Sequence, residues 1–468
     1  MNSIVMAGIA PHPPLIIPDI GRGEIKKVEK TVEAMKTLAQ EVKKAQPDTI
    51  VVISPHGPVF RNAVAFLGGE KLKGSMARFG VPEVALEVPN DEGLMTSILA
   101  EARQMDLPVF IMDEEESKKY DLSKDLDHGA LVPMYYLKEA GVERSFVHIT
   151  MGLLSYSDLY SLGKAIQKAA FARNRKVAVL ASGDLSHCLI PGAPAGYHEA
   201  GKEFDQKLTS LIKEYRVEDI MNLDRGLVNN AAECGLKPII MCLGSLDGYR
   251  VEPEVLSYEG PFGVGYLVAL LKPLEFQKER ESQGKYARQE KENISKEREG
   301  ESLFVKLARE TLESYLKEGG SPSLPEPLPQ ELQEKGGVFV SLKKKGILRG
   351  CIGTIEPVKD NLAQEIVRNT LSAALSDPRF PPVTEEELPY IEISVDMLMP
   401  PELVEDIQEL DPQKYGVIVE SDHKRGLLLP NLEGVDTVEK QLDIARQKAG
   451  IEPGEEEKIY RFEVKRYY

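Results

Sequence analysis

Three histidines stand just behind apolar runs in the first half of the chain. His12 follows the run SIVMAGIA, His56 follows TIVVIS, and His187 follows KVAVLASG. Continuous apolar runs of this length are typical of strands that are covered on both faces. In open α/β sheets, ligands bind beyond the carboxyl ends of the strands. The sequence therefore predicts that these three imidazoles converge on one site.

These histidines could hold a metal ion. Two imidazoles and one carboxylate, with open coordination positions opposite them, form the facial triad of non-heme Fe(II) oxygenases. His12 and His56 can supply the two nitrogens. An anionic third ligand is available in NNAAECGLKP, where Glu233 lies directly beside Cys234. A carboxylate favours Fe(II), whereas a thiolate gives a softer site that also accepts Zn or Cu.

The elements that must position these residues divide into two domains. In residues 1–274, apolar strands alternate with amphipathic helices such as 24–45, which predicts an α/β domain with a central, mainly parallel or mixed sheet flanked by helices. In residues 301–468, a helix is followed by alternating strands such as YIEISVDML, which predicts an α+β domain. Residues 275–300 contain seven acidic and seven basic residues and predict a charged, solvated linker.

Composition limits the compartment and the partners. The 468 residues carry a formal net charge of −17 and have a pI near 5.1, which argues against nucleic acid or an anionic membrane as a partner. Four cysteines without a CxxC pair do not make a disulfide scaffold. The sequence begins without the pattern of a signal peptide, and no apolar run approaches the roughly 20 residues that span a bilayer. We expect a cytoplasmic protein, and the oligomeric state is left open.

Five short motifs in the first domain match one family in order and spacing. They are PHPP (11–14), SPHGP (54–58), DHGALVP (127–133), SGDLSH (182–187) and AAECG (231–235). With these motifs, residues 1–272 resemble the class III extradiol ring-cleavage dioxygenases, the LigB-like superfamily, and their MEMO-like relatives.

The resemblance implies a ligand set and a reaction. It implies Fe(II) held by His12, His56 and Glu233. It also implies that His187 is the acid/base residue beside the metal and that His128 is a second pocket histidine. A catechol-like substrate would chelate the iron through two oxygens, and His187 would accept a phenol proton before O2 reacts.

The third ligand is the one point where the sequence departs from a single family pattern. MEMO-like proteins carry a cysteine near the position of Cys234 as a metal ligand, followed by a similar Gly-x-x-Pro pattern. Cys234 is therefore the alternative ligand, with Zn or Cu as alternative metals. Because the two imidazoles need an anionic partner, we favour Glu233.

Three other polar residues of the first domain are expected to be structural. Asp184, three residues before His187, is expected to orient its loop or to cap a helix. His148 lies inside an apolar run and is expected in the core. His198 stands at the start of a helical stretch and is expected at the surface.

The second domain resembles the AMMECR family over essentially its whole length, through the motifs LRGCIGT and LSDPRFPPVTEEEL. Arg349 could hold an anion and Cys351 could act as a nucleophile. The equally supported alternative is a cysteine that packs in a strand between glycines. Arg379 is a weaker site candidate, and His423 is expected in a surface turn.

Two functions of different classes follow. The first is an Fe(II)-dependent dioxygenase that opens a catechol-type ring with O2. The second is a metal-binding component without oxygenase activity, working with a radical SAM enzyme, because proteins that resemble both domains are associated with such an enzyme in the AmmeMemoRadiSam grouping. A zinc-type hydrolase is less favoured, because no obvious nucleophile or carboxylate base accompanies the site.

Overall fold

The chain forms two compact units, which are described separately. The computed structural model describes residues 2–468 except 61, 283, 290–291, 293–297, 299, 321–323, 325, 345–346, 431–434, 436 and 453–454. The N-terminal unit comprises residues 1–288 and the C-terminal unit residues 289–468. The division falls inside the expected linker, most of whose last ten residues lie outside the described residues.

A mixed sheet forms the centre of the N-terminal unit. The strands of this unit are β1 (Ile4–Ala10), β2 (Thr49–Ser54), β3 (Val64–Leu67), β4 (Lys71–Met76), β5 (Val81–Pro89), β6 (Val109–Met112), β7 (Ser145–Thr150), β8 (Val177–Ser182), β9 (Tyr249–Glu259) and β10 (Tyr266–Phe276). Eight of them form one sheet in the order β6-β3-β7-β2-β8-β1-β10-β9, and β4 and β5 form a separate hairpin. The central pairs β7–β2, β2–β8 and β8–β1 are parallel, whereas β10 pairs antiparallel with both β1 and β9. The predicted α/β class with a mixed sheet is confirmed.

Helices cover both faces of this sheet. They are α1 (Pro18–Gly21), α2 (Glu29–Ala45), α3 (Glu92–Gln104), α4 (Glu114–Tyr120), α5 (His128–Glu139), α6 (Tyr156–Ala172), α7 (Glu199–Lys213), α8 (Val217–Met221), α9 (Arg225–Ala231) and α10 (Leu236–Gly244). Apolar residues of α2 and α5 pack on one face, and those of α3, α6 and α10 pack on the other. Along β2, Ile50 and Val52 pack on the face covered by α2 and α5, while Val51 and Ile53 pack on the face covered by α3, α6 and α10. Because both faces of the strand are covered, the run from residue 50 to residue 53 is apolar throughout.

The carboxyl ends of β1, β8 and β2 lie side by side. Ala10 is paired with Ser182, and Ala181 with Ile53. Because these three strands are parallel neighbours, the loops that follow them leave the sheet at the same edge. Those loops carry the three histidines that follow strands in the sequence.

The start of the expected linker packs on the N-terminal unit. The ring of Tyr286 lies 4.7 Å from that of Tyr160, and the backbone N–H of Ser282 donates to the carboxylate of Asp247 at 3.0 Å. Ser282 and Tyr286 of the expected linker therefore contact the N-terminal unit.

Two antiparallel sheets build the C-terminal unit. Its strands are β11 (Val338–Lys344), β12 (Ile347–Gly353), β13 (Ile391–Leu398), β14 (Glu402–Leu403), β15 (Gly416–Ser421), β16 (Lys424–Leu428), β17 (Lys458–Phe462) and β18 (Val464–Tyr467). They form the sheets β12-β11-β13-β18 and β14-β17-β15-β16. The helices are α11 (Leu303–Glu318), α12 (Gln330–Gln333), α13 (Leu362–Leu375) and α14 (Val438–Ala449). Helices α11 and α13 pack on the first sheet and α14 on the second, which confirms the predicted α+β class.

In the part of the chain that the structure describes, no helix combines the length and the apolar composition needed to cross a bilayer.

Candidate metal centre

His12 is the innermost histidine of the site, two residues beyond the end of β1. Its backbone N–H donates to Oδ1 of Asp184 at 2.9 Å, and its Nδ1 lies 2.9 Å from Oγ of Ser182. The Ser182 hydroxyl donates its only proton to the carbonyl of Gly129 at 2.5 Å. Nδ1 of His12 is therefore the donor to Ser182, which leaves Nε2 with a free lone pair. This is the tautomer that a metal ligand requires.

His56 and His128 stand against His12. Nε2 of His56 lies 2.9 Å from Nε2 of His12, and the rings of His56 and His128 are stacked with centroids 4.4 Å apart. One potential ligand atom from each of the three lies within 4.8 Å of the others, the single grouping of this kind among the described residues. Burial lowers the pKa of all three, and repulsion from neighbouring imidazoles lowers the pKa of His12 and His56 further. All three are therefore neutral near pH 7 and able to offer lone pairs.

Cys234 adds a thiol to these imidazoles. Its Sγ lies 3.7 Å from Nε2 of His12 and 3.7 Å from Nε2 of His187. Burial, with repulsion from His56, lowers the pKa of His187, which leaves this imidazole free to accept a proton. Burial raises the pKa of Cys234 well above its usual range, so a bound cation is what would stabilise its thiolate.

The carboxylate of Glu233 is engaged at the start of α10. Its Oε2 accepts a hydrogen bond from the backbone N–H of Leu236 at 2.6 Å. Burial raises the pKa of Glu233 to about 7, although this N–H and Lys237 oppose the shift. The structure does not bring this carboxylate to the histidines. The geometry therefore favours Cys234 over Glu233 as third ligand, against the preference drawn from the sequence, because Glu233 is used to cap a helix.

Two glycines and one aspartate fix the position of Cys234. A Cβ atom added to Gly183 would lie 2.2 Å from Cα of Gly235, so the two backbones are in direct contact. The backbone N–H of Cys234 donates to the carbonyl of Asp184 at 3.4 Å, while the carboxylate of Asp184 holds the His12 loop. Asp184 thus ties the loop after β8 to the two loops that carry candidate ligands.

A buried carboxylate and imidazole lie next to the site. Oδ2 of Asp127 is 3.2 Å from Nε2 of His148, and Oδ1 accepts a hydrogen bond from the Ser54 hydroxyl at 2.5 Å. The contact with His148 is within ion-pair distance but lacks the alignment of a hydrogen bond. Burial alone would raise the pKa of Asp127, but His148 and Ser54 outweigh it and hold that pKa far below its usual range. His148 lies in the core, as expected, with a charged neighbour that the sequence did not indicate.

The turn of the β4–β5 hairpin reaches the site. The ring of Phe79 lies 5.5 Å from that of His128 and is 41% exposed. Arg78 contributes to the lowered pKa of His128 through its positive charge. The hairpin is tied to the chain before α5 by a 2.7 Å hydrogen bond from Leu126 N–H to the Lys73 carbonyl. The hairpin therefore brings an aromatic ring against His128 and a positive charge close enough to lower its pKa.

The donor set fits a metal ion. Ligand atoms bound to one ion at about 2.1 Å for nitrogen and about 2.3 Å for sulfur lie roughly 3 to 3.6 Å from each other. The distances from Nε2 of His12 to its counterpart in His56 and to Sγ of Cys234 are 2.9 and 3.7 Å. Two imidazoles and one thiolate suit iron, copper or zinc.

The remaining histidines lie elsewhere. Nδ1 of His198 accepts a hydrogen bond from the backbone N–H of Ala200 at 3.1 Å and so caps α7 at the surface. His423 is exposed in the turn between β15 and β16.

Arg349 of the C-terminal unit is a structural residue. Its guanidinium makes two hydrogen bonds to Glu387, at 3.0 and 2.9 Å, and donates to the carbonyls of Pro381 and Pro382. Its side chain is only 12% exposed. The expectation that Arg349 holds an external anion does not match this structure, because all three of its guanidinium nitrogens already donate to Glu387 or to backbone carbonyls. Cys351 is half-buried on β12, with Sγ 3.2 Å from Oγ of Ser341.

The sequence did not reveal which residues orient the candidate ligands. Ser54 and Ser182 are the last residues of β2 and β8. Oγ of Ser54 accepts a hydrogen bond from the backbone N–H of His56 at 3.3 Å, and Oγ of Ser182 binds Nδ1 of His12. Ser54 stands only two residues before His56, so the sequence could have suggested its contact with this loop. The second contact joins residues 170 positions apart, so it follows only from the order of the strands.

Known proteins resemble both units. Residues 6–269 match the family model described as the catalytic LigB subunit of aromatic ring-opening dioxygenase, and residues 305–467 match the AMMECR1 family model. A protein of Clostridium acetobutylicum is 42% identical over 461 residues, which cover 98% of each chain. A protein of Thermotoga maritima is 54% identical over 171 residues, 36% of this chain and 98% of its own.

A crystal structure of an uncharacterized protein from Pyrococcus horikoshii is also similar. It is 37% identical, covers 35% of this chain and 88% of its own, and gives a TM-score of 0.33. The resemblances drawn from the motifs of both domains are confirmed by the two family models. Since the first of these models spans more than half of the sequence, the chain belongs to the family of the catalytic LigB subunit of aromatic ring-opening dioxygenases, here joined to an AMMECR1 domain.

Proposed function

We propose that the N-terminal domain is a non-heme Fe(II) dioxygenase-type centre that acts with O2 on a catechol-like or other small chelating substrate. The observation that carries the proposal is the pair of neutral imidazoles, His12 and His56, whose Nε2 atoms lie 2.9 Å apart at the carboxyl edge of the sheet. Cys234 supplies the anionic third ligand in this proposal, and Zn or Cu are the alternative metals.

The ligand histidine His12 is held ready before any metal arrives. Ser182 fixes its tautomer, and Asp184 fixes its backbone. Such partners, which touch a ligand rather than the metal, keep a ligating ring in one orientation and raise its basicity. The site is therefore preorganised for binding by contacts that involve no metal.

The remaining side chains have roles toward a substrate. Bound Fe(II) would supply Lewis acidity and the electrons that O2 requires, and would hold both reactants together. His187, neutral near pH 7, would accept the proton of a substrate hydroxyl on Nε2. The ring of His128 and the exposed ring of Phe79 offer apolar faces for a planar substrate.

A second candidate is a metal-binding component without oxygenase activity that works with a radical SAM enzyme. The observation that favours it is the thiol of Cys234, rather than the carboxylate of Glu233, beside the imidazoles. A thiolate makes the centre softer than the two-histidine, one-carboxylate triad of oxygenases. The pairing with an AMMECR1 domain in one chain also favours this candidate.

Oxygen consumption separates the two candidates. The full chain, loaded with Fe(II) without oxygen, is mixed with a panel of catechols, and O2 uptake and ring-opened products are followed. Uptake that requires both iron and a catechol supports the first candidate. Tight iron binding with no uptake on any catechol contradicts it. Co-purification of a radical SAM enzyme with the full chain would then support the second candidate.

A further inference from the structure

Asp205 is a buried carboxylate on α7 that has no place in the candidate ligand set. Its Oδ1 accepts a hydrogen bond from the backbone N–H of Ser186 at 2.8 Å, and its Oδ2 accepts one from the Tyr258 hydroxyl at 2.6 Å. Burial raises the pKa of Asp205 to about 6, although both hydrogen bonds oppose the shift, so the group is mainly ionised near pH 7. A buried charge costs free energy even when it is hydrogen-bonded, which points to a role beyond packing.

The carboxylate of Asp205 fits closely against the chain that enters β10. A Cβ atom added to Gly265 would lie 2.0 Å from Oδ2 of Asp205, so only glycine leaves room for the carboxylate there. Gly265 also pairs with the loop after β8, since its carbonyl accepts from the N–H of Leu185 at 2.8 Å and its N–H donates to the Ser186 carbonyl at 2.9 Å. Asp205, Gly265 and residues 185–186 thus form one closely packed group.

The backbone around His187 is held by three hydrogen bonds. The N–H of Ser186 donates to Asp205, that of His187 donates to the Ala231 carbonyl at 3.1 Å, and that of Cys188 donates to Oγ of Ser186 at 3.1 Å. Only the first of these reaches a charged group, and hydrogen bonds to charged groups are stronger than those between neutral ones. Asp205 therefore makes the strongest of the three contacts.

The ring of His187 depends on this backbone for its position. Its Nε2 lies 3.7 Å from Sγ of Cys234, and among the residues that the structure describes no hydrogen bond reaches its Nδ1. His12 differs, because Ser182 binds Nδ1 of its ring and fixes the orientation. A shift of the residue before His187 would therefore carry its imidazole away from the candidate ligands.

We propose that Asp205 is a positioning residue for His187. By holding the N–H of Ser186, it keeps Nε2 of His187 where a substrate hydroxyl would lose its proton. Tyr258 holds the second oxygen of Asp205 and supports the same arrangement. The inference rests on the proposed function, because it takes His187 as the proton acceptor. Asp205 acts through the loop rather than on the substrate.

Modification by diethyl pyrocarbonate tests the position of His187 without any turnover. The reagent acylates neutral imidazoles, and peptide mapping of the full chain, loaded with Fe(II) without oxygen, gives the rate at His187 relative to that at His423, an exposed histidine of the other unit. Asp205→Ala should raise this ratio several-fold, because the half-buried His187 is released toward solvent. Asp205→Asn, which keeps an oxygen for the N–H of Ser186, should stay near the wild-type ratio.

Two further variants separate positioning from stability. Asp247 is another buried carboxylate of this unit and accepts the hydroxyl of Tyr160 at 2.9 Å, so Asp247→Ala should lower stability without changing the ratio. Tyr258→Phe removes one support of Asp205 and should raise the ratio less than Asp205→Ala does. An unchanged ratio in Asp205→Ala, or in Tyr258→Phe where Asp205→Ala does not fold, would overturn the proposal, as would an equal rise in Asp205→Asn or Asp247→Ala.

Turnover of a catechol by the iron-loaded chain gives the second readout. Asp205→Ala should lower kcat by about 10- to 100-fold with KM and metal content unchanged, because a displaced proton acceptor impairs the chemical step rather than binding. Asp205→Asn should retain most of the wild-type kcat. An unchanged kcat in Asp205→Ala would overturn the proposal. If the wild type turns over no catechol, the proposed function fails, whereas the reactivity ratio still decides whether Asp205 positions His187.

Discussion

Cys234 and Glu233 are neighbours in the chain but serve different parts of the N-terminal unit. The thiol of Cys234 lies 3.7 Å from Nε2 of His12, whereas the carboxylate of Glu233 accepts a 2.6 Å hydrogen bond at the start of α10. One residue thus faces the histidines while the other holds the helix that positions the loop. This division makes Cys234 the better placed of the two as a third ligand.

Ser182→Ala should weaken metal binding without removing a ligand. The change deletes the acceptor that keeps the proton on Nδ1 of His12, so Nε2 no longer presents its lone pair reliably. We expect metal affinity to fall about 10- to 100-fold, the usual effect of removing such a partner. Competition with a chelator measures it. Ser3→Ala, which removes another buried hydroxyl at the opposite end of β1, should leave the affinity unchanged; equal losses in both variants would contradict the role given to Ser182.

His187→Gln should separate chemistry from metal binding. The neutral imidazole is the proposed proton acceptor and is not among the proposed metal ligands. Metal content should stay near the wild-type level, while turnover of any active catechol falls about 10²- to 10⁴-fold. His198→Gln, at an exposed helix cap, should retain turnover. Loss of metal from the His187 variant would make this histidine a ligand instead.

Phe79→Ala should weaken the binding of planar ligands. The exposed ring lies 5.5 Å from His128 and adds aromatic contact beside the histidines. Such contacts contribute about 0.5–1.5 kcal/mol, so dissociation constants for catechols should rise roughly 2- to 12-fold with metal content unchanged. Phe171→Ala removes an even more exposed ring, at the end of α6, and serves as the control. Titration with the metal-loaded chain measures both variants, and unchanged affinity in Phe79→Ala would remove this residue from the site.

The stability of the C-terminal unit should fall in acid through Glu387. Burial would raise the pKa of this carboxyl, but hydrogen bonds from Arg349 and Lys344 outweigh it and lower the pKa to about 2. A lowered folded-state pKa means that stability is complete above the unfolded value near 4.5 and is lost as the pH falls toward 2. A shift of this size corresponds to roughly 3 kcal/mol.

Calorimetry of the full chain between pH 6 and pH 2 tests this dependence. The transition of the C-terminal unit is the one that Arg349→Gln shifts. Glu387→Gln should be less stable at pH 6 and should lose this part of the acid dependence, whereas Glu385→Gln, at an exposed neighbour, should retain it. Acid dependence that survives in Glu387→Gln would contradict the assignment.

The sequence predicted the architecture and the location of the site better than its details. Apolar runs revealed the strands of the mixed sheet, and the position of His12 and His56 behind two of them indicated a shared edge. Periodicity could not tell which way two adjacent side chains point, so it could not separate Glu233 from Cys234. Nor could it reveal Phe79, because the β4–β5 hairpin meets His128 through tertiary packing. From the sequence, Arg349 was a reasonable candidate for binding an anion, but in the fold its guanidinium is paired with Glu387.

Metal content of two neighbouring variants tests the proposed ligand set most directly. The full chain is reconstituted with Fe(II) without oxygen, and bound metal is measured together with the thiolate-to-metal charge-transfer absorption of the Co(II)-substituted protein. We predict about one ion per chain in the wild type and in Glu233→Gln, with the absorption present in both. Cys234→Ala should lose the absorption and most of the metal. Full metal content in Cys234→Ala, with loss in Glu233→Gln, would contradict the account and restore the carboxylate as the third ligand.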